Sequence, residues 1–451
     1  MTSRFRAPLR LSAFASVLLS IAGHAGAQPA ERLTMERIMA DPDWIGPAVE
    51  QAWWSWDGKT AIYSRKREGA TVRDLWTVPV TGGAPVRASD AGRAALDAAR
   101  PVFDATRTRM AFIRNGDVFV RDLRSGALTQ LTRSEAQEAR PQWSRDGGLI
   151  WRAGNEWSRW TATTGAMQAA NVQASDDPAK APAADDLRDR QLRLIDTLRT
   201  DRERREAARE QELAWRRADP SRAPAPVYLG KNVEIGDSAL SPDGRWLLVV
   251  TAAKGADGGQ AGKMPKYVTE SGYEEFEEVR TRVGRNAPVA HTLWLVDIAA
   301  AKASELKFDA LPGIAVDPLA DLRKAAKQEP LKGHRAVRIE TDGDGPAIHW
   351  SDDGRNVAVM VRAIDNKDRW IASVDLAGAK LQPRHRLTDA AWINWNFNDF
   401  GWLRDGRTLW YLSEESGWSH LYVHDGGKSR ALTSGQWEVS APALSADGSR
   451  F

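Results

Sequence analysis

Glu274 and Glu275 are the residues of this sequence whose types and spacing best suit chemistry. Two adjacent carboxylates on a loop beside a cavity can hold an ammonium group through charge-assisted hydrogen bonds. They lie in the acidic run Tyr273-Glu274-Glu275-Phe276-Glu277-Glu278. Arg280, Arg282 and Arg285 follow closely enough that the run also reads as an ordinary balanced surface stretch. Gly417-Trp418-Ser419-His420-Leu421 starts like a nucleophile elbow but lacks the closing glycine. It also falls in a strand–turn–strand setting, so Ser419 with His420 is not read as a catalytic pair. His420 and His424 are four apart on a predicted strand, which separates their Cα atoms by about 13 Å, too far for one ion. Asp342-Gly343-Asp344-Gly345, with Pro346 after it, breaks the calcium-loop pattern. The chain has no cysteine, which excludes disulfides, thiolate metal sites and a cysteine nucleophile. The expectation is no metal, no cofactor and no catalytic residue within these 451 residues.

The elements that must position the glutamate pair follow from a repeat. An aromatic residue or Leu is followed, usually, by Ser, and two residues later by Asp-Gly and an apolar strand. The copies begin at Trp54, Trp143, Leu240, Trp350, Trp402 and Leu444, and Phe103-Asp104-Ala105-Thr106-Arg107 is a degenerate one. Each is followed by a second strand with an aromatic, such as Leu293-Trp294-Leu295-Val296 or Leu421-Tyr422-Val423, and several repeats end in Leu-Thr. Asp-Gly supplies the backbone of a tight hairpin. Alternating apolar residues give strands with one face toward each neighbouring sheet. Uninterrupted repeats of about 40–50 residues suit a four-stranded propeller blade. The 20 tryptophans, more than Phe (10) and Tyr (6) together, would fill the wedges between blades. The fold class is therefore all-β: a β-propeller with a helical insertion, about six and a half blades here and seven or eight in a full ring. A β-sandwich with coincidental turns is the weaker alternative.

Residues 1–27 read as a secretory signal peptide. Arg4, Arg6 and Arg10 form the basic end, Leu11 to Ile21 the apolar core, and Ala25-Gly26-Ala27 the cleavage site. The apolar run of about 11 residues is short of the roughly 20 that a membrane span needs. Cleavage near Ala27-Gln28 would lower Lys+Arg from 63 to 60, equal to Asp+Glu, so net charge gives no support for nucleic acid or an anionic membrane as partner. A periplasmic or secreted location is expected. After a lead-in at 28–50, the propeller occupies 51–451. The last copy stops at Ser449-Arg450-Phe451, where a strand is due. An unfinished blade leaves unpaired strand edges, so the reading is the front part of a longer protein.

Three excursions interrupt the repeat, at about 171–226, 252–290 and 307–340. The first holds a charged segment from Asp185 to Asp219, ended by Pro220, that should form one long helix or two short ones. Leu187, Leu194, Ile195 and Leu198 are placed on one helical face. The preferred reading is a solvated insertion held by i,i+4 ion pairs, with a homodimer or partner contact, or a flap, as the functional alternative. The second excursion carries Glu274 and Glu275. A short helix near Leu319–Lys327 is expected in the third.

Trp402 to Val439 resembles the propeller of dipeptidyl peptidase IV-type enzymes of the prolyl oligopeptidase family. The likeness rests on Ser413-Glu414-Glu415-Ser416-Gly417-Trp418-Ser419-His420-Leu421-Tyr422 and Leu432-Thr433-Ser434-Gly435-Gln436-Trp437-Glu438-Val439. Asp365-Asn366-Lys367-Asp368-Arg369-Trp370 is similar to the same propellers. The resemblance implies an exported serine peptidase whose propeller restricts entry to short peptides. An α/β-hydrolase domain following the propeller, expected after 451, would carry the catalytic residues. Tyr273-Glu274-Glu275 matches the motif that clamps a substrate's free amino end in the best-known branch, which releases dipeptides, often after Pro. Here a predicted strand, Leu293 to Asp297, separates the pair from the next Asp-Gly repeat. The partners implied are peptide substrates and the chain's own hydrolase domain. The main rival is a non-enzymatic binding propeller resembling those of the Tol system, which share the W-S-x-D-G and Leu-Thr grammar.

Overall fold

The repeated pentapeptide builds one turn seven times. In the copy at Ser351, its N–H donates to the Asn356 carbonyl at 2.8 Å and the Gly354 N–H returns to the Ser351 carbonyl at 2.8 Å. The Asp353 carboxylate accepts the Ser351 hydroxyl at 2.7 Å and the Arg355 N–H at 3.1 Å. Gly354 has φ +70°, where a side chain is strained. The degenerate copy keeps the turn: Arg107 takes the glycine position at φ +50° and donates its N–H to the Asp104 carbonyl.

The computed structural model describes residues 34–40, 46–178, 180, 185–219, 221–256, 260–281, 289–341, 345–445 and 448–451. The leader, Pro220, Arg282, Arg285, the Asp342–Asp344 turn and Ala446-Asp447 lie outside the described residues. After a short helix α1 (Met35–Ala40), each of the first six turns feeds an antiparallel sheet. The first blade runs β1 (Val49–Trp54), β2 (Thr60–Lys66), β3 (Arg73–Pro79) and β4 (Val86–Arg87). The second runs β5 (Val102–Phe103), β6 (Arg109–Arg114), β7 (Asp117–Asp122) and β8 (Leu128–Gln130). The third comprises β9 (Glu138–Trp143), β10 (Leu149–Ala153), β11 (Glu156–Thr161) and β12 (Gly165–Gln173).

Helices α2 (Asp186–Leu194) and α3 (Asp196–Ala218) follow, and β13 (Val227–Tyr228) then returns parallel to β12. The fourth blade starts with β14 (Val233–Leu240) and β15 (Trp246–Ala253). An arm of two strands, β16 (Ala261–Lys266) and β17 (Glu275–Thr281), precedes its last strands, β18 (His291–Asp297) and β19 (Lys302–Leu306). Helix α4 (Ala320–Ala325) and β20 (Val337–Arg338) lead into the fifth blade: β21 (Ile348–Trp350), β22 (Val357–Ala363), β23 (Asp368–Asp375) and β24 (Lys380–Thr388). The sixth is β25 (Phe400–Trp402), β26 (Leu409–Ser413), β27 (His420–Asp425) and β28 (Lys428–Ala431). The architecture is the all-β propeller that the repeat implies.

Tryptophan joins the blades by hydrogen bonding as well as by filling space. Trp143 donates its indole N–H to the Val102 carbonyl, Trp350 to Ala239, and Trp402 to His349, at 3.0, 3.1 and 2.9 Å. Each acceptor is the residue just before the aromatic position of the preceding copy. Trp54, at the same motif position, is 62% exposed. The largest core cluster joins Leu248, Val250, Leu293 and Leu295 of the fourth blade to Val359, Val361 and Trp370 of the fifth.

The helical insertion takes the two-helix, ion-paired form of the preferred reading, but its apolar residues stay exposed. The helix breaks at Ile195, which is extended, and Leu187, Leu194, Ile195 and Leu198 are all exposed, so they form no buried face. Ion pairs Arg202–Glu206 and Arg216–Glu212, each four residues apart, support α3, as the preferred reading has it.

Candidate functional site

Antiparallel four-stranded blades sort their connections between two ends. The pentapeptide turns join first to second strands and lie at one end. Connections from second to third strands, and from each blade to the next, lie at the other. All three excursions, the Glu414–Trp418 turn, the Asp365–Lys367 turn and the segment 433–439 therefore share that second end, here called the loop end.

Glu274 and Glu275 sit on the arm. Glu275 opens β17 and pairs in register with Lys266, while Glu274 closes the turn before it. The loop placement expected for both holds for Glu274 alone. Glu275 accepts the Ser271 hydroxyl at 2.7 Å, and Thr269 donates to the Tyr273 carbonyl at 2.6 Å, which fixes the turn. Lys266 reaches past Glu275 to Glu277 at 2.8 Å. Both glutamates are exposed, as are Tyr273 and Phe276. The arm thus presents carboxylates beside aromatic rings, a combination suited to an ammonium group.

Ser419 and His420 are committed elsewhere. The Ser419 hydroxyl donates to the Val439 carbonyl at 2.8 Å. His420 Nε2 donates to the Gly435 carbonyl at 3.0 Å, while Nδ1 takes the Thr433 hydroxyl at 3.1 Å. Thr433 Oγ1 in turn accepts the Leu421 N–H at 3.0 Å. Thr132 does the same for Val118 at 2.9 Å, which gives the Leu-Thr signature its physical role. These residues bracket the segment 433–439 onto the sixth blade.

The other resemblance residues also converge on the loop end. Arg335, from the third excursion, bonds Asp365 through Nε at 2.8 Å and Nη2 at 2.6 Å, and Asp368 through Nη1. Arg386 completes the group on Asp368 at 2.6 Å. Lys367 is held by the Ala390 and Ala391 carbonyls. Arg369 is fully buried, and its guanidinium donates to the Phe397 and Leu412 carbonyls, both at 2.7 Å. Burial brings Arg369 down to about 10, so it stays charged at neutral pH. Burial also pushes the Glu414 carboxyl up, and the nearby Glu438 adds to the effect. The Asp-Asn-Lys-Asp-Arg-Trp run does show paired acids, but its cation, Arg335, lies 30 residues upstream and no local spacing announces it.

At the turn end, the turns of the second, third, fifth and sixth blades surround a cavity of about 650 Å³. Phe103, Trp402, Arg404, Arg145 and Asp352 contribute to its lining. The Arg145 N–H donates to the Asp352 carbonyl at 3.0 Å, joining the third and fifth blades directly. Burial raises the Asp352 carboxyl, with Arg404 opposing. His349, packed edge-on against Phe400 at 4.5 Å, is lowered by burial to about 4 and is neutral at physiological pH. Among the described residues, no three His, Cys, Asp or Glu side chains are grouped to hold a metal ion, and no helix is long and apolar enough to cross a membrane.

Residues 340–450 match the family model of the dipeptidyl peptidase IV (DPP IV) N-terminal region, and they contain all three C-terminal stretches on which the resemblance rests. Among solved structures, dipeptidyl peptidase 4 of Porphyromonas gingivalis is similar at 13% identity and a TM-score of 0.44, over 91% of this chain and 50% of that one. The β-propeller domain of the Trilobed protease from Pyrococcus furiosus is similar at 8% identity and 0.35, over 87% and 86%. TolB from Acinetobacter baumannii is similar at 11% and 0.32, over 83% and 63%. This chain therefore spans half the length of the P. gingivalis peptidase that it matches.

Proposed function

We propose that this chain is the propeller part of an exported serine peptidase of the dipeptidyl peptidase IV type. It gates access of short peptides to a hydrolase domain and binds the substrate's amino end through Glu274 and Glu275, so that N-terminal dipeptides are released, often after Pro. The observation that carries the reading is the family match over 340–450, whose Asp365–Lys367 turn, Glu414–Trp418 turn and segment 433–439 lie at the same end of the ring as the glutamate arm. A protonated amine between two carboxylates gains charge-assisted bonds that a blocked N-terminus cannot make. In the acyl transfer, a serine, a histidine and an oxyanion hole of the hydrolase domain would do the chemistry. The propeller would supply position and access. Export follows from the leader, with cleavage near Ala27-Gln28.

The test uses the complete product of the gene and a Gly-Pro chromogenic amide. Turnover should be present, and E274Q with E275Q should raise KM at least tenfold while leaving hydrolysis of an N-blocked peptide unchanged. Residues 28–451 alone should show no turnover. A complete product that folds yet cleaves no peptide amide would overturn the reading and favour a binding propeller.

A further inference from the structure

The fifth and sixth blades meet along a seam built from titratable side chains. His385 of β24 is buried, with its ring 4.3 Å from that of Tyr411 on β26. Its Nε2 lies 2.8 Å from the Glu415 carboxylate. A carboxylate only accepts, so Nε2 carries the hydrogen, and in the neutral ring Nδ1 is a bare lone pair. That Nδ1 is buried with no hydrogen-bonding partner. His424 of β27 is arranged in a related way. The Tyr411 hydroxyl donates to Ser429 Oγ at 2.8 Å, and Ser429 Oγ lies 3.1 Å from His424 Nδ1. The serine hydrogen then goes to Nδ1, so the neutral His424 ring carries its own hydrogen on Nε2, a buried N–H without a partner, and a further proton would enter at Nδ1 against the serine hydroxyl.

Burial, more than the surrounding charges, disfavours a proton on the pair. His385 faces Glu415 on the β26–β27 turn, but also the fixed guanidinium of Arg369 on β23. His424 faces Arg384 and His385 on β24, with Asp425 on its own strand. Glu414 lies near Arg369 at the edge of the same group.

We propose that His385 and His424 make the seam between the fifth and sixth blades an acid-sensitive joint, closed while both rings are neutral and loosened when they take up protons. A proton on His385 Nδ1 creates a buried N–H with no acceptor, next to a permanent cation, and opening the seam hydrates it. The sixth blade carries the Glu414–Trp418 turn and the segment 433–439, so the loop end would move with it. This device is independent of the peptidase reading.

The sign follows from linkage. Burial is the first cause that lowers both histidines; for His385 the Glu415 hydrogen bond opposes it and Arg369 adds to it, while for His424 Arg384 and the other ring add to it and Asp425 opposes. The closed seam therefore binds fewer protons than the open one. Its stability is complete above about pH 6.5, the ordinary histidine value, and is lost as pH falls from there toward the lowered values. Each proton taken up on opening multiplies the opening constant by up to about tenfold per pH unit.

Hydrogen exchange on the chain at pH 7.5 and 5.5, corrected for intrinsic rates, reads this directly. Amides of β24, β26 and β27 should open at least tenfold more at pH 5.5, while those of β6 and β7 in the second blade, which contain no histidine, change less than about twofold. H385Q keeps a donor for Glu415 but cannot titrate, and together with H424Q it should cut the difference at least fivefold, leaving only the share of His349, which packs on Phe400 at the same seam. If H385Q does not fold, the single variant H424N should reduce it. Direct titration of the two rings by NMR in the wild type is the second measurement. An equal response in all blades, an unchanged response in the variants, or ring values at or above 6.5 would overturn the proposal.

Discussion

Replacing Trp350 by Phe tests whether the repeated tryptophan holds blades together. Trp350 is buried, and its indole N–H is the bond from the fifth blade to the Ala239 carbonyl of the fourth. Phe removes about 50 Å² of apolar surface, worth about 1 kcal/mol at roughly 25 cal/mol per Å². The lost hydrogen bond at a buried carbonyl adds about 1–2 kcal/mol. W350F should therefore cost about 2–3 kcal/mol. W54F changes the same motif position where the ring is 62% exposed, and it should cost less than about 0.5 kcal/mol. Urea unfolding with both variants measures the difference. Repeat rings can unfold in steps, so exchange of the β14 and β21 amides should accompany it. Equal effects from the two variants, or a W350F effect below about 0.5 kcal/mol, would show that the indole bond is incidental and refute the reasoning.

Other perturbations follow from single contacts. Arg121 pairs with Asp97 at 2.6 Å, both buried, and also donates to the Ala95 carbonyl at 2.8 Å, so R121M leaves a buried carboxylate uncompensated and should cost about 3–5 kcal/mol by urea unfolding. T433V removes the acceptor for the Leu421 N–H and the donor to His420 Nδ1, which should cost about 1–2 kcal/mol and raise exchange at Leu421 before the rest of β27. The glutamate pair predicts a KM effect confined to free amino ends, and the histidine seam predicts acid loosening of the fifth and sixth blades with no matching change in the second.

The blade grammar was legible because it is local. A turn of Ser, Asp and Gly closes within six residues, and its hydrogen bonds need nothing from elsewhere in the chain. Even the degenerate copy at Asp104 was readable, since Asp supplies the same acceptors. The helical insertion was legible in extent but not in face. Ile195 breaks it because extended backbone there separates two helices, and apolar residues at helical spacing do not by themselves provide a surface to cover them. The glutamate arm was located by its motif, but the side chains' setting was not, since pairing with Lys266 depends on how an irregular excursion folds back on itself.

His385 was invisible for a different reason. No motif surrounds it, and its character comes from Glu415 and Tyr411, which approach across a blade boundary, and from Arg369 on the neighbouring strand of its own blade. Sequence alone determined the repeat, the turn chemistry and the family likeness, all carried by contacts within a few residues. Only the tertiary structure decided which indole reaches which carbonyl and which histidine loses its water. Such choices rest on desolvation and on partners tens of residues away, and neither is written in local spacing.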